Sequence, residues 1–450
     1  MSGKALLILI LGFSLIFLVV GYFWGDLATS STKNHVSYYK TTIAHNIAVS
    51  GANIGLQKVI ADSEWVSDIN NRPFEHGYMN VSITALGPLM RTLTSIGTFW
   101  GDTAIVKVKL MRDKTSLAKY AWFIPSVSTG SATQRPWITG DTVWGGFHSN
   151  QFLVVDGKPV YFGKVTTLKG IKDVGSGSDP QFLGGYQDGI SVSWTSSMQY
   201  PDYYTLAGPG ASFTQDLWLK FNSDGTVTYR KRISPGGGSD PGQDSLNYGP
   251  ASTVPLSTFA PGGVIYDKGA NIYISGTLSG QVTIVSEGSS GAGSGNVYFE
   301  GDMVYNNPPM IPNGEGGYKV NPASIDADGK PIDLLGIIAT NNVLVSTSGN
   351  LGGYTNNVVN KDIVIDGGIF CNSGGFSVEG LGASPANVPL GSIYFTGSMT
   401  AGKEEIVADF SGNTLIDGYN RHVVFDSRFA TGAPQWFPYL TYYRVVSWLE

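Results

Sequence analysis

Twenty consecutive residues without a charge, Ala5 to Trp24 (ALLILILGFSLIFLVVGYFW), restrict what the N-terminus of this chain can become. As a helix the run spans a hydrocarbon core, which takes about 20 residues at 1.5 Å each. Fourteen of its residues are Leu, Ile, Val or Phe. At roughly −0.3 to −0.6 kcal/mol each near a helix centre, they favour transfer into lipid by about 4 to 8 kcal/mol. Gly12, Ser14 and Gly21 reduce that figure without reversing it. Lys4 precedes the run and Asp26 follows it; Lys4 agrees with an N-terminus on the cytoplasmic side. A cleaved secretory signal has an apolar centre of about 7–15 residues. Here the run is longer, and the helical pattern continues past it.

No proline interrupts residues 26–65. Ala44, Ala48 and Ala52 recur every four residues, and Gly51 and Gly55 lie beside that stripe. Small residues at this spacing let another backbone approach closely. Ile43, Ile47 and Ile54 are spaced to give one apolar face. The pattern predicts one helix from about residue 4 to 62, roughly 90 Å long, leaving through a turn between Asp62 and Asn71. Its first third is lipid-like and the rest amphipathic.

Beyond the helix the composition changes the expectation. Glycine is abundant (60 residues), aromatics make up 12% and charged residues only 14%. Gly with aromatic and β-branched residues, and little Lys or Glu, favours strands and turns. A net charge of −6 argues against a nucleic-acid surface. The single cysteine, Cys371, can form no internal disulfide and sits among apolar strand residues, as a small core residue does. Tyr78–Leu86 alternates, as does Thr103–Met111 with Lys107 and Lys109 outward. Residues 126–135 are rich in Ser, Thr and Gly and mark a boundary. From there on, short strands are closed by Gly, Asn or Asp-Gly: GDTVWGGFHSN and QFLVVDGKPVYFGKV, then 263–305, 335–379 and GSIYFTGSMT. Such strands are what a parallel β-helix or stacked sandwich produces. Segments 173–262 and 306–333 read as loop-rich insertions, and Tyr442–Trp448 as a closing strand. The fold class is therefore α+β, in three parts. A helix occupies 1–65, a β-rich subdomain 66–135, and a β-rich, β-helix-like domain 136–450.

Enzyme signatures are not evident. The five histidines (His35, His45, His76, His148, His422) show no metal-ligand spacing, and no GxSxG elbow or P-loop occurs. Asp362 and Asp366 lie at strand spacing on one face without a partner, which suits a structural role. Asp326-Ala327-Asp328-Gly329-Lys330 opens like a calcium loop, but Ile337 stands where the bidentate Glu belongs, so an Asp-Gly turn accounts for it. Asn222–Gly225 reads as a hairpin turn, and Asn80-Val81-Ser82 is a sequon of the kind that arises by chance. No catalytic residue, metal or cofactor is predicted, and a β-helix polysaccharide lyase is the remaining enzymatic alternative.

The N-terminus resembles the type IV pilin superfamily, in particular the large PilX-like and K-type minor pilin-like proteins. The resemblance rests on Ser2-Gly3-Lys4-Ala5 leading into an unbroken apolar helix that continues through Ala44–Ala48 and Ser50–Asn53. GDTVWGGFHSN, GKPVYFGKV, GNVYFEGDMVY, GYNRHVVFDSRF and PQWFP look similar to a bacterial family of large pilin-like proteins that implies no particular activity. The resemblance implies a structural subunit of an extracellular pilus-like filament, inserted in the cytoplasmic membrane before assembly. Its partners would be copies of itself or other pilin-like subunits, with surface or glycan contacts outside. The residues expected to assemble are Ala5, Leu6, Leu9, Gly12, Phe13, Ser14, Ile16, Phe17, Gly21, Ala44, Ala48 and Ala52. Major pilins of the superfamily carry a glutamate at mature position five, where this chain has Ala5; K-type tip subunits lack it too. That departure keeps two alternatives open: a minor, tip or priming subunit, and a membrane-anchored adhesin or binding module.

Overall fold

A computed structural model describes residues 3–62, 65–87, 89–125, 136–175, 177–192, 198–233, 248–291, 293–346, 361–379, 381, 389–411 and 414–450. The chain forms two units, Met1–Thr115 with Thr441–Glu450, and Ser116–Leu440. The expected boundary at 126–135 lies outside the described residues. The division falls earlier because Trp122–Ile124 is already a strand of the second unit, paired on both sides within it.

In the first unit, α1 (Gly3–Ala61) runs unbroken for 59 residues, within a residue of the sequence expectation at each end. Four antiparallel strands follow in chain order: β1 (Ile69–Phe74), β2 (Gly77–Ala85), β3 (Met90–Phe99) and β4 (Asp102–Ser116). The C-terminal strand Tyr439–Leu449 lies next to β4 in the same sheet. The alternation of β4 is kept: Val106, Val108 and Leu110 are buried, and Lys107 and Lys109 exposed. The C-terminal half of α1 lies on that buried face. Ala44, Ile47, Ala48 and Ala52 are completely covered, packed with Met79, Val81 and Leu93.

Glycine makes this approach possible. A Cβ at Gly97 of β3 would fall 2.2 Å from the Ala44 carbonyl oxygen and 2.5 Å from the Ala48 nitrogen, both backbone atoms. Gly97→Ala is therefore expected to force helix and sheet apart, at a cost of about 2 to 3 kcal/mol. Gly25→Ala, whose Cβ meets nothing within 4 Å, should be neutral or slightly stabilising. Urea midpoints and hydrogen exchange of residues 41–60 measure both, and equal midpoints for the two variants would refute the packing account.

The second unit is a solenoid of short parallel strands arranged in three ladders. One ladder runs through Ser212–Phe213, Val264–Lys268, Gln281–Glu287, Leu334–Ala339, Gly368–Cys371, Ser398–Ala401, Trp122–Ile124, Phe147–Ser149, Val165–Thr167 and Tyr186–Gln187. Along it Ile265, Ile284, Ile337, Ile369, Met399, Trp122, Phe147 and Val165 stack in register, all buried. A second ladder aligns Met303, Ile365, Phe395, Val423, Val143 and Tyr161 in the same way. A third aligns Leu219, Ile274, Phe299, Val345 and Val378. Each fully buried large side chain contributes about 1.5–3 kcal/mol. Cys371 is one of the buried interior residues.

Corners are held by asparagines that bond to the next coil. Asn296 N and Nδ2 donate to Asn271 Oδ1 (3.1 Å each), Asn342 N donates to Asn296 Oδ1 (2.9 Å), and Gly375 N donates to Asn342 Oδ1 (3.0 Å). This is the physical reason for the Asn and Gly that close strands in the sequence.

The coils do not stack in chain order. The coil ending the chain's long second pass (Thr414–Phe425) pairs with Thr142–Trp144, so the early coils 142–187 extend the stack beyond the late ones. Segment 173–262, expected to be a loop-rich insertion, supplies strands at both ends of the stack: Gln181–Phe182 and Tyr186–Gln187 at one, Ser212–Phe213 and Leu217–Phe221 at the other. The expectation failed because strands of two to five residues are too short to show a period. Segment 306–333 contains a hairpin, Met310–Pro312 with Tyr318–Val320, and one 3₁₀ turn.

Two buried carboxyls make the solenoid sensitive to pH. Burial pushes Asp366 up to about 7, although it accepts a hydrogen bond from Tyr305 N (3.0 Å). Burial, and then the neighbouring Asp216 charge, push Asp267 up to about 7. A carboxyl raised in the folded state binds a proton that the unfolded chain, near 3.9, has already released. Stability from these groups is then highest below about pH 4 and falls as pH rises towards 7, by up to about 4 kcal/mol per group. Asp366→Asn and Asp267→Asn should flatten that decline. Urea midpoints at pH 5 and pH 8 decide, and a variant with an unchanged difference between them would count against the assignment.

Candidate functional site: the N-terminal helix

The apolar run Ala5–Trp24 lies inside α1 and has no partner among the described residues. The most apolar window of α1 has none of its residues buried. Leu6, Leu9, Phe13 and Ile16 are 55–57% exposed and Phe17 72% on one face, and Leu7, Ile8 and Leu11 on the other sides are 65%, 71% and 61% exposed. A helix apolar all round is at home only in lipid or among other apolar helices. Past the apolar run the helix continues, and Thr29 and Thr32 donate their hydroxyls to the i−4 carbonyls of Gly25 and Ala28. Gly12, Gly21 and Gly25 have open space around their Cα hydrogens, so small-residue notches face outward there.

The expected assembly residues therefore separate into two groups. Ala5, Leu6, Leu9, Gly12, Phe13, Ser14, Ile16, Phe17 and Gly21 are all exposed. Ala44, Ala48 and Ala52 are not: each is completely buried beneath the chain's own sheet. The stripe invites close approach, as expected, but β3 of the same chain occupies it. Gly51 and Gly55 point the same way, since a Cβ at either would strike Ser95 or Leu93.

The chemistry-bearing residues outside α1 are engaged in structure. Asp326 accepts from Asp328 N (2.9 Å) and Lys330 N (2.8 Å), the bonds of an Asx turn. Asp224 accepts from Thr226 N in the turn between paired strands Leu217–Phe221 and Thr226–Lys231. Buried His148 bonds Thr166 Oγ1 (2.7 Å) and Asn150 Oδ1 (2.9 Å), and burial lowers its pKa. His422 bonds Thr142 Oγ1 (2.9 Å), and on α1 itself His45 faces Glu450 at 3.4 Å. Asp362 accepts from Ser392 N (2.9 Å), so it and Asp366 each tie one coil to a neighbour. Among the described residues no three His, Cys, Asp or Glu side chains converge on a metal-sized site.

No protein-family model and no curated protein matches the chain. Among solved structures it is similar to the crystal structure of the competence-associated pilin ComZ from Thermus thermophilus. The two are 13% identical, the match covers 90% of this chain and 97% of that one, and the TM-score is 0.37. At that score the likeness carries no argument by itself. What bears on function is this chain's own geometry: an α+β molecule whose long helix is half docked and half bare.

One feature of the second unit was invisible in the sequence. Tyr200, Asp202 and Tyr204 meet Lys268, Glu287 and Asn372 around a cleft of about 550 Å³. These residues come from segments far apart in the chain, and the only local signal is the aromatic cluster QYPDYY at 199–204.

Proposed function

We propose that this chain is a structural subunit of a type IV pilus-like extracellular filament. The supporting observation is the division of α1: a docked amphipathic half, and an apolar half with no cover among the described residues. Before assembly the bare half sits in the cytoplasmic membrane. In the filament the apolar halves of neighbouring copies cover one another, using the outward-facing Gly12, Ser14 and Gly21 for close approach. Subunits repeated by a non-closing rotation give a fibre, with the β-rich units outside. The two sites this requires, bare helix and folded coat, are supplied by separate parts of the chain.

A second reading rests on a specific observation: no carboxylate stands among residues 1–25 to pair with a neighbour's N-terminus. A minor subunit, placed once at the tip or used in priming, would not need one. Mass spectrometry of sheared surface filaments tests both. Abundant peptides of this chain support the main-subunit role and trace amounts the tip role; none at all, with the chain confined to membranes, refutes filament membership.

A further inference from the structure

The second unit contains a cleft that neither helix packing nor solenoid stability uses. Its floor is the outward side of three successive coils: Tyr266, Val285 and Ile338, each at most 5% exposed. Its wall is the returning segment 200–204. The buried Tyr203 anchors that wall, while Tyr200 and Tyr204 remain 46% and 65% exposed. Tyr204 stands edge-on to Tyr266 (6.1 Å, 73°) and Tyr200 edge-on to Phe370 (5.9 Å, 75°), so both rings are held by a second ring. Hydrogen bonds fix the polar rim. Tyr200 Oη donates to Asn372 Oδ1 (3.1 Å), and Tyr266 Oη donates to Glu287 Oε2 (2.6 Å). The Lys268 side chain belongs to the coil position in register with Glu287.

We infer that this cleft binds a neutral oligosaccharide. Sugars present apolar C–H faces edged by hydroxyls, and a site for them needs fixed aromatic surface beside fixed donors and acceptors. Tyr200 and Tyr204 supply the surface. The second Glu287 oxygen, the Asn372 amide nitrogen and the Lys268 ammonium supply the polar groups. Both tyrosines have few rotatable bonds and are already braced, so ordering them on binding costs little. The cleft follows coils about 4.8 Å apart, from Tyr266 to Asn372, a length of about 14 Å that suits several sugar units in a row. Two carboxylates, Asp202 and Glu287, against one ammonium disfavour an anionic chain. The inference does not depend on the filament role, since it concerns the second unit alone.

The test uses the full chain in a zwitterionic amine-oxide detergent, because sugar-headgroup detergents would compete. Maltotetraose, cellotetraose, chitotetraose and tetragalacturonate are titrated calorimetrically. At least one of the three neutral tetrasaccharides should bind. Tyr204→Ala should weaken that binding about tenfold, the loss of one aromatic contact. Tyr204→Phe, which keeps the ring, should stay within about twofold of the parent, and Glu287→Gln should weaken binding without altering the melting temperature. Absence of binding by all three neutral sugars overturns the inference. So does equal or tighter binding of tetragalacturonate, or unchanged affinity in Tyr204→Ala. Tyr204 is largely exposed, and melting temperatures of its variants, expected at the parent's value, separate loss of binding from unfolding.

Discussion

The double variant Leu9→Asp/Ile16→Asp should move the chain from the membrane fraction to the aqueous one. Both side chains are more than half exposed on α1 and touch nothing that holds the folded units together. The apolar run favours insertion by roughly 4 to 8 kcal/mol, and each aspartate near the helix centre costs about 2.5–3.5 kcal/mol in addition to the Leu or Ile it replaces. Two of them cancel most or all of the driving force, a change of about four to six orders of magnitude in partitioning. The folded units should keep the parent's melting temperature. Carbonate extraction followed by ultracentrifugation reads the partition, and circular dichroism reads the fold. A variant that stays membrane-bound would show that the apolar run is not the anchor. The same variant should be absent from filaments, because a charge costs as much among packed apolar helices as it does in lipid.

The second large effect is expected at Arg421, deep in the solenoid. Its guanidinium is 4% exposed and meets Asp141 through Nη2 (2.6 Å) and Nε (3.1 Å). It also donates to the Pro136 carbonyl (2.9 Å), approaches Glu404 (3.3 Å) and lies 3.8 Å over the Trp137 ring. Asp141 in turn accepts from Ile138 N and Arg421 N. These bonds join residues 280 positions apart, at the seam where the coil Thr414–Phe425 meets Thr142–Trp144. Arg421→Ala leaves a buried carboxylate without its cation and is expected to cost about 3–5 kcal/mol. Hydrogen exchange should rise first in 137–156 and 414–425, ahead of the coils 264–345. Replacing both partners, Asp141→Leu with Arg421→Met, should recover only part of the loss: it removes the lone buried carboxylate, but Glu404 loses this cation and Ile138 N and the Pro136 carbonyl lose these bonds. A single-variant loss below about 1 kcal/mol, or equal protection changes in every coil, would show that the seam is held by other contacts.

Particular elements show how far the residues alone could be followed. The helix was legible nearly to the residue because 20 uncharged positions and an unbroken proline-free continuation leave no other conformation that satisfies the backbone. β4 was legible because Val106, Val108 and Leu110 alternate with Lys107 and Lys109, and alternation needs only one sheet face to be buried. The corner asparagines were visible as strand endings, but not as a ladder, because their partners lie one coil away in space and 25 to 46 residues away in sequence.

The sequence by itself determined the bare apolar helix, the low charge, the β-rich remainder and the small-residue stripe at Ala44, Ala48 and Ala52. Tertiary structure decided what those features meet. It placed the stripe against Gly97 of the same chain, and left the apolar residues near the N-terminus of α1 uncovered. It stacked the early coils onto the last one, and it drew Tyr204, Glu287 and Asn372 around one cleft. The reason is physical. Periodicity reports that a face will be buried, since burial of apolar surface is non-directional. Which surface buries it depends on fit and on ion pairs between residues hundreds of positions apart, and no local pattern records those.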